Sequence, residues 1–157
     1  MVHAVIEHIQ PGDVLVLTMP EPVPVALIGE LLVTQIKVRQ AAGILVDAAV
    51  RDVEELVRLG LPIWARYIRA KGASKSKVGD LDVTVSVGNA QISPADILVL
   101  DADGGVCVSQ GRAGEVLQAS EARFEKEATL RQKLLAGEIS YDLHGLRRIV
   151  EKHQRKP

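Results

Sequence analysis

The sequence predicts an α/β fold: a parallel βαβαβ core, then short strands, then a C-terminal helical extension. Three observations predict it. Short continuous apolar runs at 13–19, 44–47 and 63–66 read as strands covered on both faces. Helical stretches of crossover length separate them, as right-handed connections between parallel strands require. Beyond residue 80 the period changes to two and turn residues recur, so that half reads as short strands joined by tight turns.

Taken in order, Pro11-Gly12 introduces the first strand, Asp13-Val14-Leu15-Val16-Leu17-Thr18-Met19. A turn carrying Pro20, Pro22 and Pro24 precedes a helix read over about 25–42, with Gly43 at its C-cap. A helix starting that early buries Leu32 in its interior and engages its N–H. Ile44-Leu45-Val46-Asp47 is the second strand. A short helix over 52–59 ends at Gly60, and Pro62 precedes the third strand, Ile63-Trp64-Ala65-Arg66. The stretch 70–80, with Lys71, Lys75, Lys77, Gly72 and Gly79, reads as a flexible, solvated loop.

Val83, Val85 and Val87 alternate with Thr84 and Ser86, and the runs 97–100 and 106–108 follow, punctuated by Gly88, Pro94 and Gly104-Gly105. A helix over 113–136 stops at Gly137, and a basic tail covers 147–157. The whole, 1–157, reads as one domain: core 1–69, loop 70–80, short strands 81–110 and helical extension 111–157.

Composition narrows the function. In 157 residues, 47% are hydrophobic but only 3% aromatic, so the core is aliphatic and base-stacking platforms are scarce. Nineteen Lys and Arg against twenty Asp and Glu leave no basic field for nucleic acid. No apolar run is long enough to span a membrane, and the start lacks a signal-peptide pattern, so a cytoplasmic protein is expected. The lone Cys107 supports neither an internal disulfide nor a thiolate zinc site. His3, His8, His144 and His153 have no ligand-like spacing and read as surface residues. Dinucleotide, Walker and serine-elbow signatures are absent. No lysine lies in an apolar strand, so aldol chemistry would have to depend on a metal.

Two strand ends carry charge where open parallel sheets bind ligands. At Arg51-Asp52, the guanidinium suits a small carboxylate and the aspartate suits a hard divalent cation. Alternatively, Asp52 caps the following helix and Arg51 makes a surface ion pair. In Gly29-Glu30-Leu31-Leu32 a carboxylate interrupts an apolar run, either as a site residue or as an ordinary exposed helical Glu. On the C-terminal helix, Glu127 falls within the apolar stripe of Val116, Leu117, Phe124 and Leu134, whereas Glu125 points away. Such a carboxylate needs a partner, either a metal-site network or Arg131 four residues on.

Pro11-Gly12-Asp13-Val14-Leu15-Val16, Gly29-Glu30-Leu31-Leu32, Gly43-Ile44-Leu45-Val46-Asp47 and Val50-Arg51-Asp52-Val53 together resemble the class II pyruvate aldolases. These are the 4-hydroxy-4-methyl-2-oxoglutarate and 4-carboxy-4-hydroxy-2-oxoadipate aldolases, which share a fold with the regulator of ribonuclease activity A. The resemblance continues through Gly60-Leu61-Pro62-Ile63-Trp64-Ala65-Arg66, Asp101-Ala102-Asp103-Gly104-Gly105-Val106 and Glu125-Lys126-Glu127. It reaches Gly137-Glu138-Ile139-Ser140-Tyr141-Asp142 and His144-Gly145-Leu146-Arg147. Where such proteins carry glycines, this chain has Ala48, Asn89 and Ala95. Their elements before the first strand have no counterpart here.

The resemblance implies roles. Gly29, Glu30, Leu31 and Leu32 would supply backbone N–H groups and an acidic side chain to the substrate. Arg51 would grip the pyruvyl carboxylate and keto oxygen. Asp52 would bind Mg²⁺ or Mn²⁺, with Glu30 and a neighbouring subunit's Glu127 in support. The implied reaction cleaves a small 4-hydroxy-2-oxo acid to pyruvate and a second keto acid, with oxaloacetate decarboxylation beside it. The implied assembly is a homotrimer or hexamer. The same resemblance leaves open a catalytically silent, regulatory member of the ribonuclease-regulator type, or a truncated fragment.

Overall fold

A computed structural model describes residues 2–21, 23–75 and 78–154; Pro22, Lys77 and the end of the basic tail, 155–157, lie outside the described residues. The chain divides into two units, one ending at Ser109 and one beginning at Gln110.

The first unit opens with a short helix, α1 (Val2–Val5), after which Ile6 and Ile9 enter the core. Strands β1 (Val14–Leu17) and β2 (Ala26–Ile28) follow, then helix α2 (Glu30–Val38) and the long strand β3 (Gly43–Val50). Helix α3 (Val53–Leu59) leads to β4 (Ile63–Ile68). All four strands are parallel, and β3 is their centre. β1 pairs along its first half, from Val14 opposite Gly43 to Leu17 opposite Val46. β2 joins its second half at Ala49 and Val50, and β4 pairs along the other edge.

Alternation along β3 sorts its side chains. Ile44, Val46, Ala48 and Val50 enter the core with Leu15, Leu17, Ile28, Val33, Ile36 and Leu56. Val33 and Ile36 have no exposed surface, and burying each such side chain is worth about 1.5–3 kcal/mol. This anchors α2 against the sheet. Asp47 belongs to the opposite set; buried, its Oδ1 accepts a hydrogen bond from Arg66 Nε on β4 at 2.5 Å. An unpaired carboxylate would be costly there.

Two antiparallel hairpins complete this unit: β5 (Val85–Val87) with β6 (Ala90–Ile92), and β7 (Ile97–Leu100) with β8 (Gly105–Val108). Trp64 Nε1–H donates to the Asp101 carbonyl at 2.7 Å, tying the tip of the second hairpin to β4. The second unit contains α4 (Ala113–Leu135), α5 (Ser140–Leu143) and α6 (Leu146–Gln154). Arg147 pairs with Asp142 and lies 4.9 Å from the Tyr141 ring centroid, linking α5 to α6.

The α/β class and its parallel core are as predicted; several elements differ. The helix read over 25–42 is in fact two elements, because Ala26 and Ile28 bury alternately beside β3 and Gly29 ends the strand. The helix then stops at Val38, and Gly43 begins β3 instead of capping a helix. β3 also runs past Asp47 to Val50. Part of the supposedly solvated loop is pinned: Ala26 N–H donates to Lys71 O and Ala73 N–H to Ala26 O. The basic tail is helical as far as Gln154.

Candidate functional site

Three parallel strands end together, and their carboxyl ends build the site. At the end of β3, Arg51 N–H donates to Ile28 O of β2 at 3.2 Å. At the end of β4, Arg69 N–H donates to Val50 O at 3.0 Å. The chain then passes Gly72, which forms a parallel bridge with Ala26. Residues far apart in sequence thereby meet at one edge of the sheet.

Gly29 is the floor. A Cβ on it would lie 2.4 Å from Asp52 Oδ2 and 2.9 Å from both Arg51 Cγ and Nε. A Cβ on Gly72 would lie 2.9 Å from Arg51 Nη1. Arg51 is therefore packed between two glycines that no side chain can replace without displacing it. Its Nε is 3.6 Å from Asp52 Oδ2.

Asp52 precedes α3 in a left-handed conformation, φ 59° and ψ 42°, and makes no side-chain cap to that helix. Its Oδ2 instead accepts the Glu30 N–H at 3.1 Å, across the start of α2. Both alternatives raised for this pair are thus modified. Asp52 stands at the cap position while its carboxylate serves the neighbouring helix, and the ion pair of Arg51 is with Asp52 itself.

Helix α2 starts at Glu30, so the early N–H groups that lack carbonyl partners are those of Glu30, Leu31 and Leu32. Glu30 N–H is taken by Asp52, and Val33 N–H returns to Gly29 O. The Leu31 and Leu32 N–H groups have no protein acceptor among the described residues. Leu32 is not in the helix interior, as the early helix start implied, but in its first turn. Two unpaired N–H groups at a helix N-terminus attract an anion.

A wide cleft lies over this edge, lined among others by Gly29, Glu30, Leu31, Leu32, Arg51, Asp52, Glu55 and Lys75. Among the described residues no three His, Cys, Asp or Glu side chains form a ready metal cage. Asp52 Oδ1 has no protein partner there. One free carboxylate oxygen fits a hard cation that keeps most of its water, as Mg²⁺ does.

Glu127, in the second unit, belongs to a helix with no buried residue. Its Oε1 accepts from Arg123 Nε at 2.7 Å, so the partner four residues before it takes the bond expected of Arg131. Arg123 holds the Glu127 carboxyl below its usual range, and Arg131 adds a smaller effect. Among the described residues the Glu125 side chain makes no hydrogen bond or ion pair. Sequence reasoning missed Gly72 and Glu55. Glycine inside a lysine-rich loop was the available signal for the first; nothing distinguished the second from other helical acids.

Comparison with known proteins finds relatives of the same fold. A family model described as RraA-like, Aldolase/RraA, matches residues 1–108. The chain is 32% identical over 143 residues to a Halalkalibacterium halodurans protein named "Putative 4-hydroxy-4-methyl-2-oxoglutarate aldolase", covering 90% of this chain and 65% of that protein. It therefore spans less than two thirds of that relative's length. Among solved structures, Streptomyces coelicolor RraAS2 is described as an unusual member of the RNase ES inhibitor RraA protein family. It superposes with a TM-score of 0.78 at 34% identity, over 84% of this chain and 68% of that one. The RNA-processing inhibitor RraA from Thermus thermophilis gives 0.64 at 30% identity, over 68% and 65%.

Proposed function

The chain belongs to the RraA-like family, Aldolase/RraA, and from that premise we propose that it is a divalent-metal-dependent pyruvate aldolase. Its substrates are 4-hydroxy-2-oxo acids such as 4-hydroxy-4-methyl-2-oxoglutarate or 4-carboxy-4-hydroxy-2-oxoadipate. Its products are pyruvate and a second oxo acid, and oxaloacetate decarboxylation accompanies this activity. The observation that carries the reading is the convergence of Arg51, Asp52 and two free α2 N–H groups on the glycine floor.

Asp52, through its free oxygen, would hold Mg²⁺ or Mn²⁺, with Glu30 nearby on the first turn of α2. Bound there, the ion supplies Lewis acidity towards the 2-oxo oxygen. Arg51 presents a planar fork to the substrate carboxylate and the same oxo group. The Leu31 and Leu32 N–H groups complete the anion cradle. When the C4 hydroxyl loses its proton, the C3–C4 electron pair moves into the pyruvyl half and C4 becomes a carbonyl. Arg51 and the N–H groups stabilise the enolate charge where it develops. Protonation at C3 then yields pyruvate. In this reading Glu30, one of the carboxylates lining the cleft, takes up and returns the proton.

In this reading the chain assembles as a homotrimer or hexamer, with Glu127 of one subunit approaching the Asp52 of the next. A second reading, a ribonuclease-regulator type without catalysis, draws support from the descriptions of the two solved relatives. Pyruvate release from a 4-hydroxy-2-oxo acid, measured with Mg²⁺, with Mn²⁺ and with chelator, separates the two. Turnover should require the ion and vanish in Asp52→Asn, which keeps an acceptor for Glu30 N–H and suits a left-handed backbone. Full turnover by that variant at saturating metal removes Asp52 from the site; no turnover by the wild type under any metal favours the regulator.

A further inference from the structure

Lys75 lies on the same cleft as Arg51, and they are the only Lys or Arg side chains among the described residues lining it. Carboxylates outnumber them there: Glu30, Asp52 and Glu55 border the site. Arg51 is itself partly neutralised by Asp52 at 3.6 Å. Even with a divalent cation on Asp52, Arg51 and the ion only balance these three carboxylates, so no net positive charge is left for a second substrate carboxylate unless Lys75 supplies it.

The segment leading to Lys75 is held in place. Ala26 N–H donates to Lys71 O at 2.8 Å, Ala73 N–H donates to Ala26 O at 3.0 Å, and Gly72 bridges Ala26 between them. Gly72 packs against Arg51. Lys75 follows three residues later, at most about 10 Å of chain away. Its long stem reaches a carboxylate at variable distance, which a rigid fork does less well.

We propose that Lys75 is a specificity-determining residue that receives the second, distal carboxylate of a dicarboxylic 2-oxo acid while Arg51 holds the pyruvyl end. The assignment rests on the aldolase reading and deepens it by naming the residue that receives the carboxylate beyond the pyruvyl half. Arg51 and the α2 N–H groups read what all such substrates share. Lys75 reads what distinguishes them.

The test compares binding of 2-oxoglutarate and pyruvate by calorimetry, in Mg²⁺, for wild type, Lys75→Ala and Lys75→Arg. Losing one charge-assisted bond should weaken 2-oxoglutarate binding about tenfold in Lys75→Ala. Pyruvate binding should be unchanged, and Lys75→Arg should recover most of the loss. In turnover, KM for a dicarboxylic hydroxy-oxo acid should rise while kcat stays close to wild type. Equal weakening of both anions, or no weakening of either, overturns the assignment. If the wild type releases pyruvate but Lys75→Ala treats the two anions as wild type does, only the Lys75 assignment falls. If the wild type binds neither anion and releases no pyruvate, the aldolase reading falls with it.

Discussion

Gly29 is extended, at φ −151° and ψ −169°, a backbone that any residue can adopt. Its value to the site is therefore the absent Cβ. Alanine there would place a methyl 2.4 Å from Asp52 Oδ2 and 2.9 Å from Arg51 Nε. Both side chains are partly exposed and can swing outwards, so activity should suffer more than stability. Gly29→Ala should lower kcat/KM about a hundredfold, the scale of a small misplacement of reacting groups. Its thermal midpoint should stay near that of wild type. An active Gly29→Ala enzyme would show that the close packing of Arg51 and Asp52 is not needed.

The second hairpin begins from a turn that carries strain. Asp96 N–H closes it onto Ser93 O at 3.1 Å, and Ser93 N–H returns to Asp96 Oδ2 at 2.8 Å. Between them Ala95 adopts φ 69°, a left-handed conformation that opposes its Cβ. Ala95→Gly relieves that strain but loosens the unfolded chain, so the net gain should be about 0.5–1 kcal/mol. Urea unfolding with an unchanged m-value would report it; a lower midpoint would mean that Ala95 makes a compensating contact. Strand β2, read from the sequence as the start of a helix, shows the converse. Ala26-Leu27-Ile28 has too few residues to betray period two, and only pairing with Ala49 and Val50 makes it a strand.

At the level of the whole molecule, the second unit exposes apolar side chains at Leu117, Phe124, Leu134 and Leu135, and no residue of α4 is buried. Such surfaces commonly mark sites of association. Assembly as a trimer, or a multiple of it, should appear in size-exclusion chromatography with light scattering at micromolar concentration. Phe124→Glu should shift the population towards monomer, with the loss of oligomer tracking the loss of pyruvate release. A wild-type monomer that binds metal and turns over would exclude a shared site and leave Glu127 as the partner of Arg123. Among the described residues, no helix is long and apolar enough to cross a membrane.

The sequence by itself determined the α/β class, the parallel core and the identity of the charged pair, because apolar runs and Gly60 are local signals. It also placed α4 nearly to the residue, since Gly137 follows its last turn. Tertiary structure alone decided that Gly29 lies under Arg51 and Asp52, that Glu30 N–H reaches Asp52, and that Leu32 opens a helix instead of lying inside one. It also brought Gly72 and the loop towards Lys75 up to β2. These contacts join chain segments about twenty or more residues apart. No local period encodes them; they exist because three parallel strands end at the same edge of one sheet.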